Sequence, residues 1–186
     1  MEIREQQIKG VFEITFQPRG DDRGYFMRTY DVNMFKEAGL HRTWLQENQS
    51  RSMRKGIIRG LHFQLMPDTE TKLVRCIKGS ILDVYVDLRD GSETFGKWGK
   101  VELSADKYNT LYIPRGFAHG FCTLEDDCEV QYKVDNWYSP SNERSLLWND
   151  AAIGIEWPAQ DPILSVKDQQ GMSFTEFKRK HGAIKA

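Results

Sequence analysis

Short stretches of alternating apolar and polar side chains occupy the middle of the chain. The clearest one spans residues 80–88, where the alternation is regular from Leu82 to Val86. A period of two is typical of half-buried β-strands. Similar runs, separated by glycine and proline turns, lie at residues 72–77, 98–103, 110–113, 120–124 and 129–134. Several short strands with little helix between them predict an all-β sandwich or barrel.

Two short helices are also predicted. One spans residues 31–38, with Asp31 as its N-cap and Gly39 at its end. The other lies near residues 173–180. The sequence contains no internal repeat, low-complexity tract or dividing linker, which predicts a single domain over residues 1–186.

Composition and charge argue against several classes of function. The 26 lysines and arginines nearly balance the 27 aspartates and glutamates, and no basic run is present, so we expect no nucleic-acid partner. The start, MEIREQQIKG, is too charged for a signal peptide, and no apolar run approaches the ~20 residues of a membrane span. Cys76, Cys122 and Cys128 lack paired metal spacing, which favours free thiols in a reducing cytoplasm, although a disulfide between two of them stays open.

Two of the four histidines interrupt apolar segments. His62 lies in IIRGLHFQ at residues 57–64, and His119 lies in IPRGFAHGF at residues 113–121. A buried histidine usually has a hydrogen-bond partner, so each is either a satisfied core residue or a site residue. The local sequence leaves both interpretations open.

These two segments resemble the two halves of the cupin signature. The second half matches at residues 114–119 (PRGFAH), but the first half, usually His-x-His and then Glu, reads His62, Gln64 and Glu70. Divalent transition metals favour imidazole, and catalytic zinc usually needs three good protein ligands. The resemblance therefore implies a cupin-type jelly-roll β-barrel, or double-stranded β-helix, with a few short peripheral helices, and we expect no bound metal.

A histidine in the mouth of such a barrel is a candidate base if suitable partners surround it. Asp168 is suited to orient it, while Lys72 and Tyr132 supply a cation and a phenol for proton transfer. Each has a simpler interpretation, as a helix cap, a solvated strand end and a core residue respectively. Arg59, three residues before the histidine, falls on the opposite face of a regular strand unless a bulge at Gly60 changes the register.

Over most of its length the chain resembles the dTDP-4-dehydrorhamnose 3,5-epimerases. The resemblance runs from about residue 10 to about residue 170 and depends on several motifs, each weak alone. They are DDRGYF at 21–26, QEN at 46–48, IRGLHFQ at 58–64, TKLVR at 71–75, DVYVDLR at 83–89, IPRGFAHGF at 113–121, YK at 132–133, WND at 148–150, PILS at 162–165 and KD at 167–168.

The resemblance implies an isomerase that inverts C3, C5 or both in a nucleotide-linked 4-keto-6-deoxyhexose, without a cofactor, in deoxysugar and polysaccharide biosynthesis. The chemistry is consistent with such a set of side chains. A 4-keto group acidifies the C3 and C5 hydrogens, and imidazole, with an ordinary pKa near 6.5, can remove one. A cation then stabilises the enolate oxygen, and a protonated phenol can return a proton.

The family also implies a role for each matched residue. His62 is the base, and Asp168 holds it in tautomer and orientation. Lys72 stabilises the enolate, and Tyr132 returns a proton on the opposite face. The other residues expected to contact the substrate or its nucleotide are Gln46, Asn48, Arg59, His119, Tyr138, Glu143 and Lys167. Since the family forms homodimers by exchanging N-terminal strands, Arg23 and Phe26 are expected to reach the neighbouring subunit's site. Arg28 is also expected among the substrate-binding residues.

Two positions depart from the family pattern. Arg28 stands where the family usually has glutamate, and Arg19 where members tend to have an aromatic residue; in the family both positions lie against the nucleotide base. Arginine has only donors, so it suits the cytosine N3 acceptor better than the thymine N3–H. A CDP-linked sugar is therefore an alternative to the dTDP-linked one, unless both arginines point to solvent or pair with the diphosphate.

Three other functions remain open from the sequence. A 3,4-ketoisomerase on the same barrel is one, although Tyr132 argues against it. A metal-dependent cupin enzyme is another, against which Gln64 argues. The third is a non-catalytic binder of sugar nucleotides, which would keep the cations but would not need the proton-transfer set.

Overall fold

The computed structural model describes residues 1–185, which form mainly β-strands. The strands are β1 Glu2–Glu5, β2 Phe12–Thr15, β3 Arg19–Asp21, β4 Gly24–Phe26, β5 Gln46–Ser52, β6 Ile58–Gln64, β7 Lys72–Lys78, β8 Ser80–Asp87, β9 Trp98–Ser104, β10 Asn109–Ile113, β11 Phe117–Thr123, β12 Cys128–Val134 and β13 Glu143–Ser145. The helices are α1 Val32–Glu37, α2 Val166–Gln169 and α3 Phe174–His181. The all-β prediction is confirmed, and the six predicted strands correspond to β7 through β12.

Most strands belong to two antiparallel sheets. One has the order β1-β2-β10-β7-β12-β5, and the other has the order β13-β6-β11-β8-β9. The two strands β3 and β4 form a separate hairpin. Strands far apart in sequence are therefore neighbours, as with β5 beside β12 and β6 beside β11.

Three apolar clusters hold the layers together. The central one includes Val74 of β7, Tyr85 of β8 and Val130 of β12, and so joins strands of both sheets. A second cluster packs α3 against the five-stranded sheet, where the Phe177 and Phe63 rings meet edge to face at 5.4 Å. A third cluster packs α1 against the six-stranded sheet. Because both outer faces are partly covered, both sheets carry strands that are buried on two sides.

Strand β8 shows the consequence of this double covering. Its alternation predicts a half-buried strand, yet every residue except Leu82 is buried. Val84 and Val86 belong to the cluster beneath α3, whereas Asp83 is fully buried and hydrogen-bonded to His119. A buried charge needs such a partner. The polar position that predicted a solvent-facing side chain therefore lies in the interior.

The helices begin and end close to the predicted residues. Asp31 caps α1 by accepting the N–H groups of Asn33 and Met34, and Gly39 follows with a φ of +72°. Ser173 caps α3. Helix α2 was not predicted. No helix in residues 1–185 is long and apolar enough to cross a membrane.

The three cysteines are all buried and free, which confirms the free-thiol prediction. The alternative of a disulfide is wrong. Burial raises the pKa of the Cys76 thiol to about 12 and that of Cys122 to about 11. Both side chains therefore stay protonated and unreactive at neutral pH.

A bulge in β6 gives Arg59 and His62 a common direction. His62 pairs with His119 of β11 and Arg59 pairs with Phe121, so three steps along β6 oppose two steps along β11. Gly60, inside the bulge, has a φ of +120°, and a Cβ there would lie 2.5 Å from the Cα of Gly120. The bulge predicted at this glycine is confirmed, and it lets both side chains line one cavity.

Candidate active site

A groove between the two sheets collects most of the predicted site residues. It consists of two adjoining cavities of about 290 Å³ each, which share the side chains of His62, Lys72 and Tyr132. The predicted residues that line one or both cavities are Gln46, Asn48, Arg59, His62, Lys72, His119, Tyr132, Tyr138, Glu143, Lys167 and Asp168. The volume suits a small, polar ligand portion such as one sugar ring with its neighbouring phosphate.

His62 and Asp168 form a hydrogen-bonded pair in this groove. His62 extends from β6, Asp168 lies in α2, and the distance from Nε2 to Oδ1 is 2.6 Å. Because Nε2–H donates to the carboxylate, the lone pair lies on Nδ1, which leaves that nitrogen as the basic atom. Burial alone would raise the pKa of Asp168, but hydrogen bonds from His62 and Ser165 outweigh it and hold the pKa below its ordinary value.

Tyr132 and His62 belong to opposite sheets. Tyr132 lies on β12 of the six-stranded sheet, whereas His62 lies on β6 of the five-stranded sheet, and both line both cavities. Two proton-transfer groups on facing walls can reach opposite faces of a ring bound between them. The sequence interpretation of Tyr132 as an ordinary core residue is therefore too simple, since its side chain is only partly buried.

Lys72 is not the solvated strand end of the simpler interpretation. It opens β7, is buried, and its Nζ lies 3.0 Å from Oε1 of Glu70. The side chains of Lys72 and Glu70 are 10% and 12% exposed, so the ion pair is part of the cavity wall. A buried ammonium with a fixed partner is a suitable group to face a developing negative charge.

His119 forms a second histidine–carboxylate pair beside the first. Its Nε2 lies 3.0 Å and 2.9 Å from the two oxygens of Asp83, which is fully buried. Burial raises the pKa of Asp83, and His119 and Lys72 oppose that rise. Both interpretations of His119 thus hold together, because the residue is hydrogen-bonded and also lines the groove.

Hydrogen bonds and an ion pair link four residues at the rim of the groove, namely Gln46, Tyr138, Glu143 and Lys167. Gln46 Oε1 accepts from the Tyr138 backbone N–H at 2.7 Å, and the Tyr138 hydroxyl donates to Glu143 at 2.7 Å. Lys167 Nζ lies 2.6 Å from the other Glu143 oxygen. Burial tends to raise the pKa of Glu143, but the bonds from Lys167 and Tyr138 lower it. These polar groups leave a charged entrance to the groove.

Arg59 is held by its neighbours at the other end of the groove. Its Nε donates to Ser52 Oγ at 3.1 Å, and one Nη donates to the Arg51 carbonyl at 3.1 Å. Together with Lys167 it places positive charge along the cavity that contains the His62–Asp168 pair. This charge is suited to a phosphate group.

Gln64, at the position of the second imidazole in the cupin signature, connects two loops. Its Nε2 donates to the carbonyls of Asp68 at 2.8 Å and Trp137 at 3.1 Å, and its Oε1 accepts from the Ser139 N–H at 2.6 Å. The amide thus fixes the segment that carries Tyr138. An imidazole could not make this combination of donor and acceptor bonds from one end of the side chain.

Comparison with known proteins identifies the family. The family model described as dTDP-4-dehydrorhamnose 3,5-epimerase matches residues 5–176. The chain belongs to the dTDP-4-dehydrorhamnose 3,5-epimerase family. A curated member from Shigella flexneri is 49% identical over 179 residues, spanning 95% of this chain and 97% of the relative.

Solved structures agree with this assignment. The epimerase of Bacillus anthracis, crystallised with TDP and PPi bound, superposes with a TM-score of 0.91 at 42% identity, over 93% of this chain and 99% of that one. The Legionella pneumophila epimerase, in complex with dTDP-4-keto-L-rhamnose, gives 0.93 at 35% identity, over 100% and 98%. The predicted cupin-type jelly roll is thereby confirmed.

Three residues that the epimerase family implied lie outside the groove of their own chain. Arg23 is exposed in the β3–β4 hairpin and binds Asp21, and Phe26 is 65% exposed. Arg28 Nη1 lies 3.5 Å from Asp31 Oδ2 and lines a separate cavity. A single chain therefore does not bring these residues to the His62–Asp168 pair.

Three residues in or behind the groove have no catalytic or substrate-binding role assigned from the sequence, although Glu70 matches the glutamate of the cupin signature. Glu70 pairs with Lys72, Asp83 with His119, and Ser165 with Asp168. Each belongs to or adjoins a motif that carried the family resemblance, so its place in the chain was a usable signal. Their hydrogen-bond and ion-pair partners could not be predicted from the sequence, because these contacts depend on the folded arrangement of the chain.

Proposed function

We propose that this protein is an epimerase that inverts C3 and C5 of dTDP-4-keto-6-deoxyglucose through side-chain proton transfer, giving dTDP-4-dehydrorhamnose. The observation that supports it most directly is the placement of His62 and Tyr132 on opposite sheets with Lys72 beside them in one groove. Family membership and relatives named for this reaction support the same assignment.

The first step is proton removal by His62. Its Nδ1 removes a proton from C3 or C5, and Asp168 stabilises the imidazolium that forms. The electrons of the broken C–H bond move into the carbonyl, giving an enolate at O4. Lys72 supplies the positive charge that faces this oxygen, and Glu70 keeps the ammonium in place.

Inversion requires a proton from the opposite face. Tyr132 donates its phenolic proton to the carbon, and the enolate collapses back to the ketone. Each centre therefore uses one base and one acid on facing walls of the groove. Between the two inversions, the imidazolium releases its proton to solvent and the phenolate takes one up from solvent, so both groups regain their starting states. The proton transfers therefore need no cofactor.

The nucleotide is best tested together with the reaction. In D₂O, we expect the protein to introduce deuterium at C3 and C5 of the dTDP-linked 4-keto sugar, because both hydrogens exchange through the enolate. Mass spectrometry and proton NMR measure this. The CDP-linked counterpart should exchange about tenfold more slowly, since the relatives are named for dTDP sugars. No exchange with either sugar would reject the function, and faster exchange with the CDP sugar would revive the cytidine alternative.

The active enzyme is proposed to be a homodimer. The β3–β4 hairpin stands outside both main sheets, and all its strand residues are exposed. Exchange with a second chain would bury Phe26 and bring Arg23 to a phosphate-binding position, which a lone chain does not achieve. Sedimentation equilibrium should therefore give twice the 21.7 kDa chain mass. A monomer at assay concentration with full activity would contradict this arrangement.

A cytoplasmic location also remains a proposal. The three buried free thiols support it, because unpaired cysteines are typical of reducing compartments. No nucleic-acid or membrane partner is proposed, in keeping with the near-neutral net charge of -1.

A further inference from the structure

Ser165 connects the start of α2 to the carboxylate that faces His62. As the N-cap residue, it accepts a hydrogen bond from the Asp168 backbone N–H to its Oγ at 3.1 Å. The same hydroxyl donates its only proton to Oδ2 of Asp168 at 2.7 Å. One side chain thus holds both the backbone and the carboxylate of Asp168.

Helix α3 shows that an N-cap serine does not require the second of these bonds. Ser173 caps α3 with the same acceptor distance, 3.1 Å from the Glu176 N–H to its Oγ. Glu176 occupies the same helical position as Asp168, yet its carboxylate is directed to Lys180 Nζ at 2.6 Å. The bond from Ser165 to the Asp168 carboxylate is therefore an addition to ordinary capping.

The Asp168 carboxylate is held on both of its oxygens. Oδ1 accepts from His62 Nε2 at 2.6 Å and from the Gly60 N–H at 3.4 Å, while Oδ2 accepts from Ser165. Asp168 is only 4% exposed, so water has little access to replace a lost donor. The hydroxyl of Ser165 is the contact on Oδ2, and it restricts rotation of the carboxylate away from the imidazole.

We propose that Ser165 is a positioning residue for the reaction, which fixes the Asp168 carboxylate and through it the orientation of His62. This inference rests on the proposed function, in which His62 is the base. The other charged or titratable groups that line the groove or contact its histidines are Glu143 on β13, Tyr138 before β13, Lys167 on α2, Arg59 on β6, Lys72 on β7, Glu70 before β7, Tyr132 on β12, His119 on β11 and Asp83 on β8. None of these groups is hydrogen-bonded to the Ser165 hydroxyl, whose two bonds are both to Asp168.

Loss of this hydroxyl should change the proton affinity of the His62–Asp168 pair in a predictable direction. A hydrogen bond to a carboxylate stabilises its charged form and offsets part of its negative potential. Without it, the carboxylate attracts a proton onto the His62–Asp168 pair more strongly. The pair then stays protonated to higher pH, and because a base must be unprotonated to act, the acid limb of the pH–rate profile moves upward.

The test compares Ser165→Ala with Ser173→Ala in the full-length protein. For Ser165→Ala we expect the acid limb of kcat/KM for epimerisation to move up by about half a pH unit, and kcat to fall about tenfold with little change in KM. Ser173→Ala removes a matched cap that does not line the groove, so it should leave the acid limb and kcat unchanged. Ser165→Thr keeps a hydroxyl and should restore the wild-type profile.

Two further measurements keep the outcome interpretable. Ser165→Gly preserves most of the capping at α2, because glycine is a tolerated N-cap, and it serves if the alanine variant fails to fold. NMR of the His62 ring nitrogens against pH needs no substrate, so it tests Ser165 even if the proposed reaction is wrong. A His62 titration that is the same in Ser165→Ala, Ser165→Gly and the wild type would overturn the inference.

Discussion

Replacement of His62 by alanine is expected to lower the rate of deuterium entry at both C3 and C5 by about 10²–10⁴-fold, the usual contribution of a general base. The physical reason is the geometry of the His62–Asp168 pair. With Nε2 bonded to the carboxylate at 2.6 Å, Nδ1 is the only basic nitrogen that the pair presents to the groove. One base for two carbons means that both exchange reactions should fall together.

The matched control is His41→Ala. His41 lies outside the groove, where its Nδ1 meets the Tyr30 hydroxyl at 3.3 Å, so its removal should leave both exchange rates unchanged. Binding of dTDP, followed by calorimetry, should be nearly equal in the wild type and in His62→Ala, because the imidazole acts on the sugar. Retention of exchange at either carbon in His62→Ala would show that another group serves as the base there.

The parts of the fold that the sequence predicts are those with local apolar alternation. Strands β7 to β12 have it, and α1 and α3 have clear caps and terminal glycines. Strand β5 lacks it, because its sequence is QENQSRS and its inward side chains, such as Gln46 and Asn48, face a polar groove. A strand that lines a ligand site loses the apolar face that would reveal it. Helix α2 has four residues, too few for a helical period.

The candidate site shows the same difference between features that depend on local sequence and features that depend on distant segments. The chemistry of His62, Lys72 and Tyr132 could be inferred from residue type, and the bulge at Gly60 from a glycine inside a strand. The pairing of His62 with Asp168 joins positions 106 residues apart, so it came from the family resemblance and not from spacing. The bond from Ser165 could not be predicted, since helix caps are recognisable locally but the direction of a hydroxyl proton depends on the folded neighbourhood.

Replacement of Tyr132 by phenylalanine should separate the two halves of the reaction. His62 would still remove its proton, and because its side chain is 29% exposed, the imidazole exchanges that proton with solvent. The imidazole can then deliver a deuteron to the same face of the carbon from which it removed the proton. We expect exchange to continue at the first carbon attacked, while formation of the inverted sugar falls by about 10²–10⁴-fold.

This separation follows from the two walls of the groove. Tyr132 lies on the six-stranded sheet and His62 on the five-stranded sheet, so neither can easily protonate the other's face. Tyr30→Phe, which removes a phenol outside the groove, is the control and should retain full inversion. NMR of the sugar product in D₂O measures both rates in one sample. Equal loss of exchange and inversion in Tyr132→Phe would place the phenol in the enolisation step itself, whereas loss of inversion alone assigns it to reprotonation.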